Sequence, residues 1–305
     1  MIKHCARSIV ICCFTMIFSL FSTIYYTGDE QVVLMSEFES KNSFISYVTI
    51  NGYQYIIKQK KNIQKQMAAV RDALAAYIAQ DLGIAHSVQI ISVTQDIAGK
   101  VNKQQPATLH TIAAGKAIID QPESRYYKLR LKQRSPEDDL LPNRWLTEAI
   151  IYQMTWHKQL PLIVALDLFI GNIDRHGGNL FYDPVTDCFC AIDMDNIFRF
   201  DLPALACQKL DAMVSLGKNF TNEEIIALTS VRDTLQFLLR RFTSTQIIDQ
   251  LHLFVQQAGL RKNNIIKYKS LVKKITNHEA MIIKSRKSVH KLIYVLDKII
   301  DNFSN

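Results

Sequence analysis

A chain of 305 residues, 48% hydrophobic and 21% charged, has ample apolar material for a core and fits one two-lobed unit or two small domains. Six cysteines are too few for a disulfide-built fold, and Cys188-x-Cys190 lacks the second ligand pair of a zinc site. Net charge is +8, and residues 261–305 hold eleven Lys or Arg against three Asp or Glu, a difference of +8, so the basicity belongs to the C-terminal end. No basic–aromatic interleaving accompanies it, and nucleic acid is not an expected partner.

In chain order, Lys3, His4 and Arg7 precede an uncharged run from Ser8 to Tyr26, and Asp29 and Glu30 follow. This reads as a signal peptide or signal anchor over residues 1–28, with the rest exported (a secreted effector or lumenal protein) or anchored at the membrane. A domain left on the cytoplasmic face and a buried N-terminal helix are the alternatives. Val32-Val33-Leu34-Met35 and Phe44 to Ile50 are strands, Asn51-Gly52 is a two-residue hairpin turn, and Tyr53 to Lys58 is the partner strand. Gln66 to Leu82 is a helix stopped by Gly83, and Val88 to Val93 is a further strand. Residues 95–145 carry only short apolar pieces between glycines and prolines. Asn143 or Arg144 to His157 reads as a helix.

Leu160 to Ile170 is apolar enough to be a buried helix. It leads into Gly171-Asn172-Ile173-Asp174-Arg175-His176-Gly177-Gly178-Asn179. A short strand, Leu180-Phe181-Tyr182, an Asp183-Pro184 turn and a second strand, Cys188 to Ile192, follow, and the second strand ends on Asp193. A hairpin returns its second strand beside its first, so Asp193 comes back near Asn179. An amide oxygen and a carboxylate meeting there suit Mg²⁺, which takes a few protein oxygens and leaves other positions to phosphate and water. Asp174 is then placed to accept a proton from an attacking hydroxyl, which is the set of parts a phosphotransferase needs. Asp195 is the rival metal ligand.

This stretch, about a tenth of the chain, resembles the catalytic core of the phosphatidylinositol 3- and 4-kinases and their relatives. Those relatives include the HipA-like and CotH-like kinases and the Golgi casein kinases, in which the loop reads roughly G-N-x-D-R-H-x-x-N and the later strand ends I-D. The resemblance implies an α+β, two-lobed protein-kinase-like fold, with a small β-rich N-lobe over residues 29–125 and a mostly helical C-lobe over 126–305. It implies ATP with Mg²⁺ or Mn²⁺ as cofactors and transfer of the γ-phosphoryl to a hydroxyl. The acceptor is a protein or glycan, with a phosphoinositide as the alternative, and a nucleotide-binding pseudokinase scaffold is a third reading. Asp174 becomes the base, Asn179 and Asp193 the metal ligands, and His176 a residue that orients the loop or touches the transferred phosphoryl.

In the N-lobe the resemblance makes Lys58 the lysine that holds the nucleotide phosphates, with Lys60 as the register alternative, and Asp72 its acidic partner. The family more often has Glu at that place. Ser40 and Lys41 lie in the phosphate-covering loop, which here has no glycine. The adenine-binding hinge falls around Tyr126-Tyr127-Lys128-Leu129 without being fixed to one residue.

Beyond Pro203 the sequence is helical. Thr221-Asn222-Glu223-Glu224 is a capping box, Ser244 or Thr245 opens another helix, and Ile265 to Phe303 gives one or two basic helices. Those basic helices offer contact to an anionic membrane or an acidic substrate.

Overall fold

The computed structural model describes residues 9–10, 22–26, 32–39, 43–60, 66–97, 100–101, 105–127, 129, 146–258 and 265–303. The chain divides into two compact units. The first comprises Met1–Tyr77, His86–Ile112 and Leu251–Lys262, and the second Ile78–Ala85, Ala113–Gln250 and Asn263–Asn305.

The first unit is built on an antiparallel sheet. Its strands are β1 (Ile9–Val10), β2 (Ser22–Tyr26), β3 (Val32–Glu39), β4 (Ser43–Ile50), β5 (Tyr53–Lys60), β6 (Val88–Ile97), β7 (Lys100–Val101) and β8 (Gln105–Thr111). They run in the order β1-β2-β6-β8-β5-β4-β3, with β7 on β6. The β4–β5 turn is Asn51-Gly52, and both residues have positive φ, 51° and 85°. That geometry matches the twist of the flanking strands, and Asn and Gly reach it at least cost. Residues opposite one another share a face, so one face of the sheet gathers Val48, Ile50, Ile57, Ile91, Ala107 and Leu109 into a buried apolar cluster. The other face carries Lys58, Thr108 and His110. Helix α1 (Gln66–Ala79) lies on that side, with Asp72 3.7 Å from His110.

Of the N-terminal apolar segment, only β1 and β2 are described, and β2 pairs with β6 from Ser22↔Ile97 to Tyr26↔Val93. Ser-Thr-Ile-Tyr-Tyr is β-branched and aromatic, a composition that favours a strand. Among the described residues no helix is long and apolar enough to cross a membrane. The remainder of the segment read as a signal peptide or anchor lies outside the described residues.

The second unit is mostly helical: α2 (Glu148–Met154), α3 (Leu160–Ile170), α4 (Leu202–Ser215), α5 (Asn222–Arg241), the start of α6 (Ser244–Gln257) and α7 (Ile265–Phe303). It also holds a three-stranded antiparallel sheet of β9 (Lys116–Ala117), β10 (Leu180–Asp183) and β11 (Cys188–Ala191), ordered β11-β10-β9. Every residue of α3 except Leu162 is buried, which marks it as the central helix of the unit. α3 packs on α5 and α7, and α4 packs on α7. The basic segment forms one 39-residue helix rather than two. α2 starts later than the sequence suggests, because Leu146 has φ 58° and the Thr147 hydroxyl caps the first turn by accepting from the Ile150 amide. The Thr221–Glu224 capping box closes reciprocally, and Thr243 with Gln246 forms a second one ahead of α6.

Candidate active site

The loop after α3 starts from a helix stop. Gly171 has φ 62°, its amide donates to Leu168 O, and the Asn172 amide donates to Asp167 O. Together these two bonds satisfy the last carbonyls of the helix in a Schellman motif. A Cβ at Gly171 would lie 2.6 Å from the Phe200 carbonyl oxygen, so glycine is required there for space as well as conformation.

Asp167 is the polar exception on an otherwise apolar helix, and it is fully buried. Its carboxylate accepts three hydrogen bonds: from Arg175 Nε at 2.9 Å, from Arg175 Nη2 at 3.0 Å and from Asn172 Nδ2 at 2.7 Å. Arg175 is 1% exposed, so both charges are buried and each neutralises the other. Its remaining nitrogen, Nη1, donates to the Asn179 carbonyl at 2.5 Å and to the Ile192 carbonyl at 3.1 Å. The planar guanidinium therefore ties the floor helix to both strands of the β10–β11 hairpin, at the end where the strands carry Asn179 and Asp193.

Asp167 lies outside the polar motif that stands out in the sequence. The available signal was a lone carboxylate in the middle of Leu-Pro-Leu-Ile-Val-Ala-Leu-Asp-Leu-Phe-Ile. A buried charge requires a partner, and an arginine eight residues on is the nearest cation in sequence.

The polar loop folds on itself around this anchor. Asn172 Oδ1 accepts from the Asp174 amide at 3.1 Å, and Asn179 Nδ2 donates to the Asp174 carbonyl at 3.0 Å. The Asn179 amide donates to His176 O, and the Gly178 amide donates to His176 Nδ1 at 3.1 Å, which fixes the ring. In the neutral imidazole the proton then sits on Nε2. The Ile119 amide braces the loop from β9's side by donating to Gly177 O at 3.3 Å. The Asp174 side chain is half-buried.

The backbone brings Asn179 and Asp193 close to one another. The Ile192 amide donates to the Asn179 carbonyl at 3.1 Å, one step beyond the Leu180↔Ala191 pair, so Asp193 follows directly on the residue that faces Asn179. Asp193 has φ 50°, the left-handed region that non-glycine residues seldom occupy, and strain of this kind is concentrated at functional sites. Asp195 follows two residues on and is also half-buried. With its NH₂ engaged by Asp174, Asn179 keeps its carboxamide oxygen for a cation. Among the described residues no group of three or more His, Cys, Asp or Glu side chains could hold a metal ion. An Asn with one or two Asp suits a hard cation that completes its shell with phosphate and water oxygens, so the donor chemistry fits Mg²⁺.

Lys58 and Asp72 belong to the first unit. Lys58 is half-buried on the α1-facing side of β5, and its carbonyl accepts from the Thr108 hydroxyl at 3.2 Å. Asp72 is fully buried. Thr108 in turn contacts His110 Nε2 at 2.7 Å, and His110 Nδ1 lies 2.8 Å from His86 Nε2. The rival Lys60 is at the end of β5. Ser40 and Lys41 lie outside the described residues. Of the hinge stretch, Tyr126 is buried edge-on against Tyr182, Phe189 and His157.

No protein-family model matches the sequence, and no curated protein matches it. Among solved structures, the chain is similar to the Helicobacter pylori proinflammatory kinase CtkA, with TM-score 0.47 and 12% identity over 88% of this chain and 95% of that one. It is also similar to a thermostable mutant of aminoglycoside phosphotransferase APH(4)-Ia in a ternary complex with ADP and hygromycin B. There the TM-score is 0.30 and the identity 12%, over 87% of this chain and 94% of that one. At these values the neighbours do not decide what this chain does, and its own residues have to.

Proposed function

We propose that the chain is an ATP-dependent phosphotransferase of the phosphatidylinositol 3- and 4-kinase-like kind, moving the γ-phosphoryl of ATP to a hydroxyl, with a protein as acceptor. On this reading the sheet-rich unit and the helical unit are the lobes of a protein-kinase-like fold. The observation that carries it is the Arg175 clamp. One buried guanidinium holds the carbonyls of Asn179 and Ile192 while Asp167 holds Arg175, so Asn179, Asp193 and the Asp174 loop share one rigid frame. Phosphoryl transfer asks little covalent chemistry of a protein and much positioning.

The chain's own residues then divide the work. Asp174 accepts the hydroxyl proton as the acceptor oxygen forms its bond to the γ-phosphorus, and the bond from that phosphorus to the bridging oxygen breaks to release ADP. Asn179 and Asp193 would hold Mg²⁺, which when bound would spread the negative charge on the phosphoryl oxygens. His176, with its ring fixed through Nδ1, presents Nε2–H as a donor to the transferred group. Lys58, with Asp72 as its partner, is proposed to hold the nucleotide phosphates.

A phosphoinositide acceptor is the second reading, favoured by the basic helix α7. The test is mass spectrometry of a reaction containing purified chain, ATP and Mg²⁺, offered protein lysate or phosphoinositide vesicles in separate arms. Phosphate on either acceptor, lost in Asp174→Asn and Lys58→Met, supports the proposal. ATP bound without turnover points to a pseudokinase. Turnover that survives Asp193→Ala rules the metal assignment out.

A further inference from the structure

The second unit displays a row of lysines with no counterpart in the proposed chemistry. Lys273, Lys284, Lys287, Lys291 and Lys298 are all exposed on α7. At about 100° per residue they fall within an arc of roughly 60°, and at 1.5 Å rise the row is about 38 Å long. Between Glu279 and Asp297 the helix has no acidic residue. Asp297 itself is engaged by Arg232 at 3.3 Å, and Asp201 at the start of α4 lies 3.7 Å from a Lys284 side chain that stays 66% exposed. The opposite side of the helix carries Ile282, Val289, Leu292 and Leu296, fully buried in the unit, so the helix cannot roll to hide its lysines.

We infer that this face of α7 is a docking surface for an anionic phospholipid membrane. Charge complementarity carries the choice of partner. The row is straight, consists of lysines alone and is flanked by Tyr294, which is 60% exposed with the Lys298 ammonium 4.5 Å over its ring. Lysine is a point charge on a long stem that reaches headgroup phosphates without fixed geometry, and tyrosine is enriched at the membrane–water interface. A nucleic-acid surface would combine arginine with stacking aromatics, which this row does not. An acidic protein would have to match a 38 Å row of charges with its own carboxylates, whereas a lipid leaflet supplies anions at any spacing.

The test is co-sedimentation of the full chain with phosphatidylcholine vesicles, with and without about 30% phosphatidylserine, at low and high salt. The inference expects retention only with phosphatidylserine, weakened by salt. It expects the loss of about five-fold in partitioning per lysine neutralised, so that Lys284→Gln, Lys287→Gln, Lys291→Gln and Lys298→Gln together remove several-hundred-fold. Should that variant fail to fold by circular dichroism, Lys287→Gln alone reads the same slope. Retention that ignores phosphatidylserine, or that survives neutralisation because the apolar residues 8–26 insert, overturns the inference. So does capture by nucleic acid or an acidic protein with no vesicle binding.

Discussion

Arg175 and Asp167 meet side-on, Nε and Nη2 each within 3.0 Å of a different carboxylate oxygen, and neither charge reaches solvent. From that pair the loop takes its shape, because the same guanidinium reaches the carbonyls of Asn179 and Ile192. Removing one partner leaves the other charged and buried, which costs about 3–5 kcal/mol. Asp167→Ala and Arg175→Met are each expected to lower urea-unfolding stability by that amount. The double variant Asp167→Leu/Arg175→Met should recover part of it. A single variant within about 0.5 kcal/mol of the parent would show that the pair does not hold the loop.

Asp174→Asn keeps the size and the backbone hydrogen bonds to Asn172 and Asn179 but removes the carboxylate proposed as the base. Phosphoryl transfer should fall by about a thousand-fold while melting temperature stays put, since general-base catalysis contributes about 10²–10⁴. Asn179→Ala should cost both activity and stability, because its Nδ2 also holds the Asp174 carbonyl. Steady-state kinetics beside thermal melts separates the two effects.

Gly171→Ala places a methyl at positive φ and against the Phe200 carbonyl. The cost exceeds about 1 kcal/mol, because both conformation and space oppose it. In the same unit, Thr221→Ala removes the hydroxyl that accepts from the Glu224 amide and should cost about 1 kcal/mol. Differential scanning calorimetry ranks the two, and a Thr221→Ala cost larger than that of Gly171→Ala would contradict this packing.

The β10–β11 hairpin is closed by Tyr182 Oη donating to Asp187 Oδ1 at 2.8 Å. Burial first, and then that carboxylate, pushes the Tyr182 phenol up to about 12. The same hydrogen bond holds the Asp187 carboxyl below its ordinary 3.8. The depressed carboxyl stabilises the fold above pH 3.8 and loses that contribution as pH falls through its lower folded value. The raised phenol contributes fully below its ordinary value of 10 and stops contributing as pH rises through about 12. The stability difference between the parent and Tyr182→Phe should therefore be level at intermediate pH and shrink at both extremes. A difference flat across the whole range would remove the hydrogen bond from the account.

Local chemistry was legible where it is decided locally. Asn51-Gly52 makes its turn, Thr221 and Glu224 close their box, and the apolar run at 160–170 becomes the buried helix, because turn conformation, capping and continuous apolarity act within a few residues. The length of α2 was less legible, since Leu146 takes a left-handed conformation that no propensity announces. Asp167 was passed over for the same kind of reason, its partner being a tertiary matter.

The polar motif from Gly171 to Asn179 and its distance to Asp193 were written in the chain, along with the basic excess at the C-terminus. Only the folded structure decided that a buried arginine clamps both strands to the helix beneath them, and that the lysines of α7 line up outward. A hydrogen bond across 17 residues and the choice of which helix face is buried both depend on what else packs there, and one-dimensional spacing cannot carry that information.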